Sequence, residues 1–514
     1  MDARLAAICF AVSLCGLSAA NAATSAKVQT DAGWVQGAAS ADNSLYMFKG
    51  VPFAKPPVGD LRWRAPQKPQ SWSGVRKADA FSPSCMQPTP PRGETTAPSE
   101  DCLYLNIWEP TRTAARLPVM VWIYGGGFRN GAGSMPVFDG SALARKGVIL
   151  VTINYRLGKF GFMAHPELSA ESGHGASGNY GLMDQLAALQ WVQRNITAFG
   201  GDPKAVTIFG QSAGSHSINY LIASPLGKGL FSRAIAESGS AFTPDHTNVF
   251  GHPLLTLKQA ERNGLKVQAA LHANSIADLR KVSAKDLQAA PTAGGDDSAW
   301  GMLDGWVLPD TVNAVFARGE QNDVPLLIGF NSNEAATFVH DKTQATLSQT
   351  TARNFGARAA DYARLYPSSD DASAERASEQ SERDNHFGWQ SWTWLKRQAQ
   401  TGKSRAWYYF FDVQAPPGNG AAIANDWGAH HEGEIPYVFG TGVNWSERDR
   451  RVSGRMQDYW VNFARTGDPN GVGLPPWAPF DAARPVHMVF DDAPSGRPLA
   501  SQDRLAFWEA QSKQ

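Results

Sequence analysis

The first half of the chain alternates between short apolar runs and longer stretches of helical spacing. "LPVMVWIYGG" (117–126) and "GVILVTINYR" (147–156) are apolar without the every-second-residue polarity of a half-exposed strand. "AVTIFG" (205–210) is a third such run. Between them, "YGLMDQLAALQWVQRNI" places Leu182, Leu186, Leu189 and Val192 on one helical stripe. "SAGSHSINYLIASP" reads as a helix stopped by Pro225. Uninterrupted apolar strands alternating with helices predict an α/β fold, with a parallel sheet covered on both faces. The second half offers strand candidates in "PLLIGF" and "AWYYFFD" and a helix in "SGRMQDYWVNFARTG". Ser82–Glu100 is Pro-rich and reads as a surface loop. Ser368–Asp384 is charged and polar, and reads as an exposed loop or helix. No repeat or linker divides the chain, so residues 23–514 are expected to form one domain despite their length.

The N-terminus follows a different pattern. Arg4 precedes an apolar stretch from Leu5 to Leu17, and Ala20-Asn21-Ala22 is a small-x-small sequence. This predicts a secretory signal over residues 1–22, cut after Ala22, with the protein periplasmic or secreted. The run is too short to span a membrane. Leu14 before Cys15 argues against lipid attachment. Of four cysteines, Cys9 and Cys15 would leave with the signal. Cys85 and Cys102 remain, either as two buried thiols or as a bridge. A bridge across their 17-residue separation would contribute roughly 3 kcal/mol.

Charge removes some partners from consideration. The 47 basic residues balance 47 acidic ones, so nothing favours nucleic acid or an anionic membrane. Asn195-Ile196-Thr197 and Asn444-Trp445-Ser446 are formal glycosylation sequons.

The candidate chemistry lies where the third apolar run meets its helix. Gly210-Gln211-Ser212-Ala213-Gly214 fits G-x-S-x-G, the strand–turn–helix that presents a serine at the edge of a sheet. Read from the motif alone, Ser212 is either that nucleophile or a serine in an ordinary turn. The following N–H, from Ala213, would face the same space as an oxyanion donor. "WIYGGGFRNG" (122–131) ends another strand in three glycines. It is either a flexible bend or the second half of an oxyanion hole, with Gly126 and Gly127 as donors. His216 falls one helical turn after Ser212 and reads as structural.

"SEDCLYLNIW" (99–108), "WIYGGGF" and "GDPKAVTIFGQSAGS" together resemble the type-B carboxylesterase family, which includes the cholinesterases. The resemblance runs from "GVPFAKPPVGDLRWRAP" to "WVNFARTGDPNG", nearly the whole mature chain. It implies an α/β-hydrolase: a large, mostly parallel twisted sheet between helices, with the active site at the bottom of a gorge. It also implies a Ser-Glu-His triad in that chain order. "PLLIGFNSNEAATF" then supplies Glu334 as the acid, and "GAHHEGEIPYVFG" supplies His431, three residues before Glu434, ahead of its neighbour His430. By the same resemblance Arg62 pairs with Glu100, Arg156 pairs with Asp184, and Cys85 bridges Cys102. Ser238 would bond to the acid or the base.

The implied reaction is hydrolysis of a small-molecule carboxylic ester through an acyl-enzyme, without metal or cofactor. The same machinery would serve an amide, carbamate, lactone or polyester, since the pocket decides the substrate. A non-catalytic cholinesterase-like binding module is a further class, disfavoured because Ser212, Glu334 and His431 are all present. Oligomeric state is left open. Met86–Asp101 contains no aromatic residue, so this loop offers no cation–π site for a choline ester. "FGWQSWTWLKRQ" (387–398) is either pocket wall or a core-facing helix.

Overall fold

A computed structural model of the chain describes residues 26–512, apart from residue 92 and residues 94–96, 112–114, 243–253, 292–299, 338–340 and 417–427. The expected leader and its cleavage point lie outside the described residues. The strands in chain order are β1 (Lys27–Gln29), β2 (Trp34–Gln36), β3 (Ala38–Ala39), β4 (Leu45–Pro52), β5 (Val75–Lys77), β6 (Tyr104–Pro110) and β7 (Leu117–Ile123). They continue as β8 (Ile149–Ile153), β9 (Gly201–Gln211), β10 (Arg233–Glu237), β11 (Leu326–Asn331), β12 (Ala406–Phe411), β13 (Val486–Phe490) and β14 (Ser495–Pro498).

Eleven of these form one sheet in the order β14-β13-β12-β11-β10-β9-β7-β8-β6-β4-β3. From β13 to β8 every neighbour is parallel, and the antiparallel pairs lie only toward the two edges. The uninterrupted apolar runs account for this arrangement. Every residue of β8 and of β11 is buried, as strands with helices on both sides must be. β1, β2 and β5 make a small separate sheet.

The helix Tyr180–Asn195 buries the expected stripe but also Gly181, Asp184, Gln185, Ala188 and Trp191. The stripe is buried as expected, and two polar residues beside it are buried with partners. Asp184 takes both Nε and Nη2 of Arg156 at 2.8 Å, and Gln185 donates to the Ser217 hydroxyl at 2.9 Å. Glu100 meets Arg62 in the same two-pronged way, at 2.7 and 2.6 Å. Arg62 also donates to the carbonyls of Leu279 and Val282, so this pair ties distant segments together. Cys85 and Cys102 are joined by a disulfide at the ends of the Pro-rich loop.

Asp371–Arg383 is a helix, capped by Asp370, which accepts from the Ser373 N–H. It buries the small residues Ala374 and Ala377, a face too slight to show in hydrophobic periodicity. It runs through a π-helical turn, Asp384–Trp389, into the helix Gln390–Thr401. Among the described residues no helix is long and apolar enough to cross a membrane.

Candidate active site

β9 ends at Gln211 and the next helix begins at Ala213, so Ser212 alone makes the turn. Its backbone sits at φ 55, ψ −123, a conformation that costs a non-glycine residue about 1–3 kcal/mol. Surrounding bonds hold it there. The Ser212 N–H donates to the Glu237 carbonyl at 2.9 Å. The Ser212 carbonyl accepts from the His216 N–H and from His216 Nδ1, each at 2.9 Å. The flanking glycines are required by close approach. A Cβ on Gly210 or Gly214 would lie 2.5 or 1.9 Å from the carbonyl oxygen of Ile123, at the end of β7. His216 is buried beneath the turn, edge-on to Trp300. Burial pushes its pKa down to about 4, so its ring is neutral and its Nδ1–H serves the serine carbonyl.

The glycine run after β7 packs onto the same turn. A Cβ on Gly125 would come within 3.0 Å of Ser212 Cβ. Gly126 and Gly127 both adopt positive φ, 89 and 61. Among the described residues, the N–H groups of Gly126, Gly127 and Ala213 donate to no protein acceptor. Uncommitted backbone N–H groups of this kind can accept a developing negative charge.

Glu334 opens a short 3-10 turn just after β11 and is fully buried. Its Oε1 accepts from the Asn331 N–H at 2.6 Å, and its Oε2 lies 2.5 Å from His431 Nδ1. Of the two adjacent histidines, His431 is the one that meets Glu334. His430 turns its Nδ1 to the Gly428 carbonyl, at 3.4 Å. Burial works against the charged form of His431, but the charge of Glu334 and its hydrogen bond outweigh it and raise the pKa above the usual value. The far nitrogen, Nε2, lies 3.2 Å from the side-chain nitrogen of Gln211, next to Ser212. The Ser212 hydroxyl makes no hydrogen bond among the described residues.

Further buried polar residues surround this pair, of which the sequence singled out only Ser238. Ser238, expected on the acid or the base, instead donates to Glu434 Oε1 at 3.3 Å. Asn331 joins the two glutamates: its N–H serves Glu334, and its Nδ2 serves Glu434 Oε2 at 2.5 Å and the His430 carbonyl at 2.8 Å. Burial and the neighbouring Glu334 push Glu434 up to about 7. Glu237 is raised by burial and by Glu434, and accepts from Trp460 Nε1 at 2.7 Å. In the sequence Glu434 served only as a landmark for spacing, and Gln211 only as the unspecified position of the motif.

The aromatic segment 387–398 divides between its two readings. Phe387, carried by the π-helical turn, packs on His431 with ring centroids 5.3 Å apart. Trp394 is fully buried against Phe242 and Phe316, in the core.

Comparison with known proteins places the chain in a family. The family model described as "Carboxylesterase family" matches residues 24–508. Fumonisin B1 esterase from Sphingopyxis macrogoltabida is 37% identical, covering 91% of this chain and 87% of its own. Para-nitrobenzyl esterase from Bacillus subtilis is 36% identical, over 86% and 90%. A solved structure of PNB esterase superposes with a TM-score of 0.78 at 33% identity, covering 95% of this chain and 99% of that one. A thermophilic PNB esterase reaches 0.79, also at 33% identity, over 94% and 99%. With an α/β-hydrolase sheet, a strained serine at its edge and these relatives along nearly its full length, the chain belongs to the carboxylesterase family and is a carboxylic-ester hydrolase.

Proposed function

We propose that hydrolysis proceeds through a triad of Ser212, His431 and Glu334, with Gly126, Gly127 and Ala213 as the oxyanion hole. The observation that carries this reading is the 2.5 Å contact of Glu334 with His431 Nδ1, which leaves Nε2 facing the turn that presents Ser212. His431 takes the Ser212 proton as Oγ attacks the ester carbonyl, and Glu334 stabilises the imidazolium. The three N–H groups hold the oxyanion, each donor contributing on the order of 3 kcal/mol in the transition state. The proton passes to the departing alcohol. Water then attacks the acyl-enzyme with His431 again as base.

The relatives' names cover fumonisin B1, para-nitrobenzyl esters and cocaine. For this chain we favour small neutral esters over choline esters, because the 86–101 loop has no aromatic residue to stack on a quaternary amine. Turnover of p-nitrophenyl esters from acetate to palmitate, with Ser212→Ala alongside, tests the reading and measures the acyl length accepted. Residues 1–22 are proposed as a cleaved export signal. N-terminal sequencing of protein from the periplasm and the medium tests that.

A further inference from the structure

Gln211 is fully buried, and its backbone is fixed by the β9–β10 ladder, where it pairs with Glu237. Its side chain stays beside the active histidine. Nε2 of the amide is 3.2 Å from His431 Nε2, the nitrogen assigned above to take the serine proton. The other end of the amide is uncommitted: Oε1 is buried and has no hydrogen-bond partner. It rests against Gly125, where a Cβ would come within 2.9 Å of it, so glycine leaves the room the amide occupies. A buried carbonyl oxygen without a donor is costly, so this end of the amide is open to a donor that arises beside it during the reaction.

We propose that Gln211 is a positioning residue whose amide serves both protonation states of His431. The neutral ring accepts at Nε2 from the amide N–H. When Ser212 Oγ bonds to the substrate carbon, its proton moves to Nε2 and the ring becomes a donor there. A half-turn of the amide brings Oε1 round to accept that N–H, until the proton leaves with the alcohol as the ester C–O bond breaks. The amide has one donor end and one acceptor end, and the ring nitrogen needs each in turn. The inference rests on the triad reading above.

Other groups also face this ring. Glu334 binds Nδ1, and Glu432, Glu434, His430 and His216 act on it through charge. Their contributions are common to wild type and to variants at Gln211, so a change in the pH profile between them reports the amide.

The experiment compares Gln211→Glu, Gln211→Leu and Gln211→Met with wild type, by the pH dependence of kcat/KM for p-nitrophenyl acetate. The pH dependence of inactivation by a fluorophosphonate reads the same ionisation without turnover. Gln211→Glu places a carboxylate beside the imidazolium and is expected to move the acid limb up by about one pH unit or more. Gln211→Leu and Gln211→Met remove the acceptor and are expected to move it down. They are also expected to lower kcat by roughly 10- to 100-fold with KM within about threefold. Methionine keeps the length of the side chain, so at least one apolar variant should fold, as judged by circular dichroism. Acid limbs coinciding with wild type in all three variants, or shifting in one direction in all three, would overturn the proposal. Ser212→Ala and His431→Ala are run in parallel. Turnover persisting in those two would overturn the triad reading itself. Their inactivity, with unmoved limbs at Gln211, would overturn only the role of the amide.

Discussion

Arg383 donates through Nη1 to the carbonyl oxygen of Ser332, at 2.9 Å, two residues ahead of Glu334. Its Nε and Nη2 are held by Asp384 Oδ1 at 2.9 and 2.7 Å, and Asp384 also accepts from Tyr366 at 3.1 Å. The pair links the loop carrying Glu334 to the π-helical turn that sets Phe387 on His431. Breaking one side of so enclosed an ion pair costs about 3–5 kcal/mol. Arg383→Gln is therefore expected to lower the thermal midpoint markedly and to reduce kcat more than it raises KM. Arg383→Met combined with Asp384→Leu removes both charges of the pair and leaves only the part-exposed Arg504, 3.5 Å from Asp384, to face water; it is expected to recover part of the midpoint. Differential scanning calorimetry with steady-state kinetics checks both.

With His431 as the proposed base, the pH profile follows from its ionisation. A protonated ring cannot accept the serine proton, and the raised pKa means protonation sets in at higher pH than for an ordinary histidine. Activity is expected to fall with decreasing pH, with a midpoint above the ordinary value of 6.5. Glu334→Gln removes the charge that raises it. The midpoint should then move down, and kcat should drop by a factor on the order of 10^4.

Glu434 is expected to tune the base without taking part in the chemistry. Glu434→Gln keeps an acceptor for Asn331 and Ser238 but removes a charge near His431. Its acid limb should move down by less than about one pH unit, with kcat within about tenfold of wild type. A loss as large as that of Glu334→Gln would contradict this division of roles.

The two glycines proposed for the oxyanion hole make unequal demands. A Cβ on Gly126 would lie 2.2 Å from the Asn130 carbonyl, whereas on Gly127 it would meet nothing within 4 Å. Gly126→Ala is expected to displace the turn and reduce kcat by about 100-fold or more. Gly127→Ala, strained only through its φ of 61, should cost less. A p-nitrophenyl acetate assay on the purified variants ranks them.

Closing a loop of 17 residues in sequence, the Cys85–Cys102 bridge should contribute roughly 3 kcal/mol. The double serine variant is expected to unfold at lower denaturant concentration. Its turnover at room temperature should stay within a few-fold of wild type.

What the sequence made legible was whatever is local. The strands flanking Ser212, the glycines that let β7 approach it and the run ending at Gly127 are all written in short contiguous stretches. Glu334 and His431 lie 97 residues apart, and no periodicity connects them. Family resemblance brought them together. The roles of Asn331, Glu434 and Gln211 went unrecognised because they arise from contacts between segments distant in the chain, Gln211 and Asn331 each at the end of a strand. Asn331 reaches Glu434 across 103 residues. The segment 368–384 left open a loop or a helix because its buried face is built of alanines and serines.

The most direct test of the triad is fluorophosphonate labelling of the purified enzyme, followed by intact mass and peptide mapping, with p-nitrophenyl butyrate turnover measured on the same samples. We expect one label per chain, on Ser212, with activity lost in proportion, and a drop in turnover on the order of 10^4 or more in unlabelled Ser212→Ala. A label on another residue, or Ser212→Ala turning over like wild type, would contradict it.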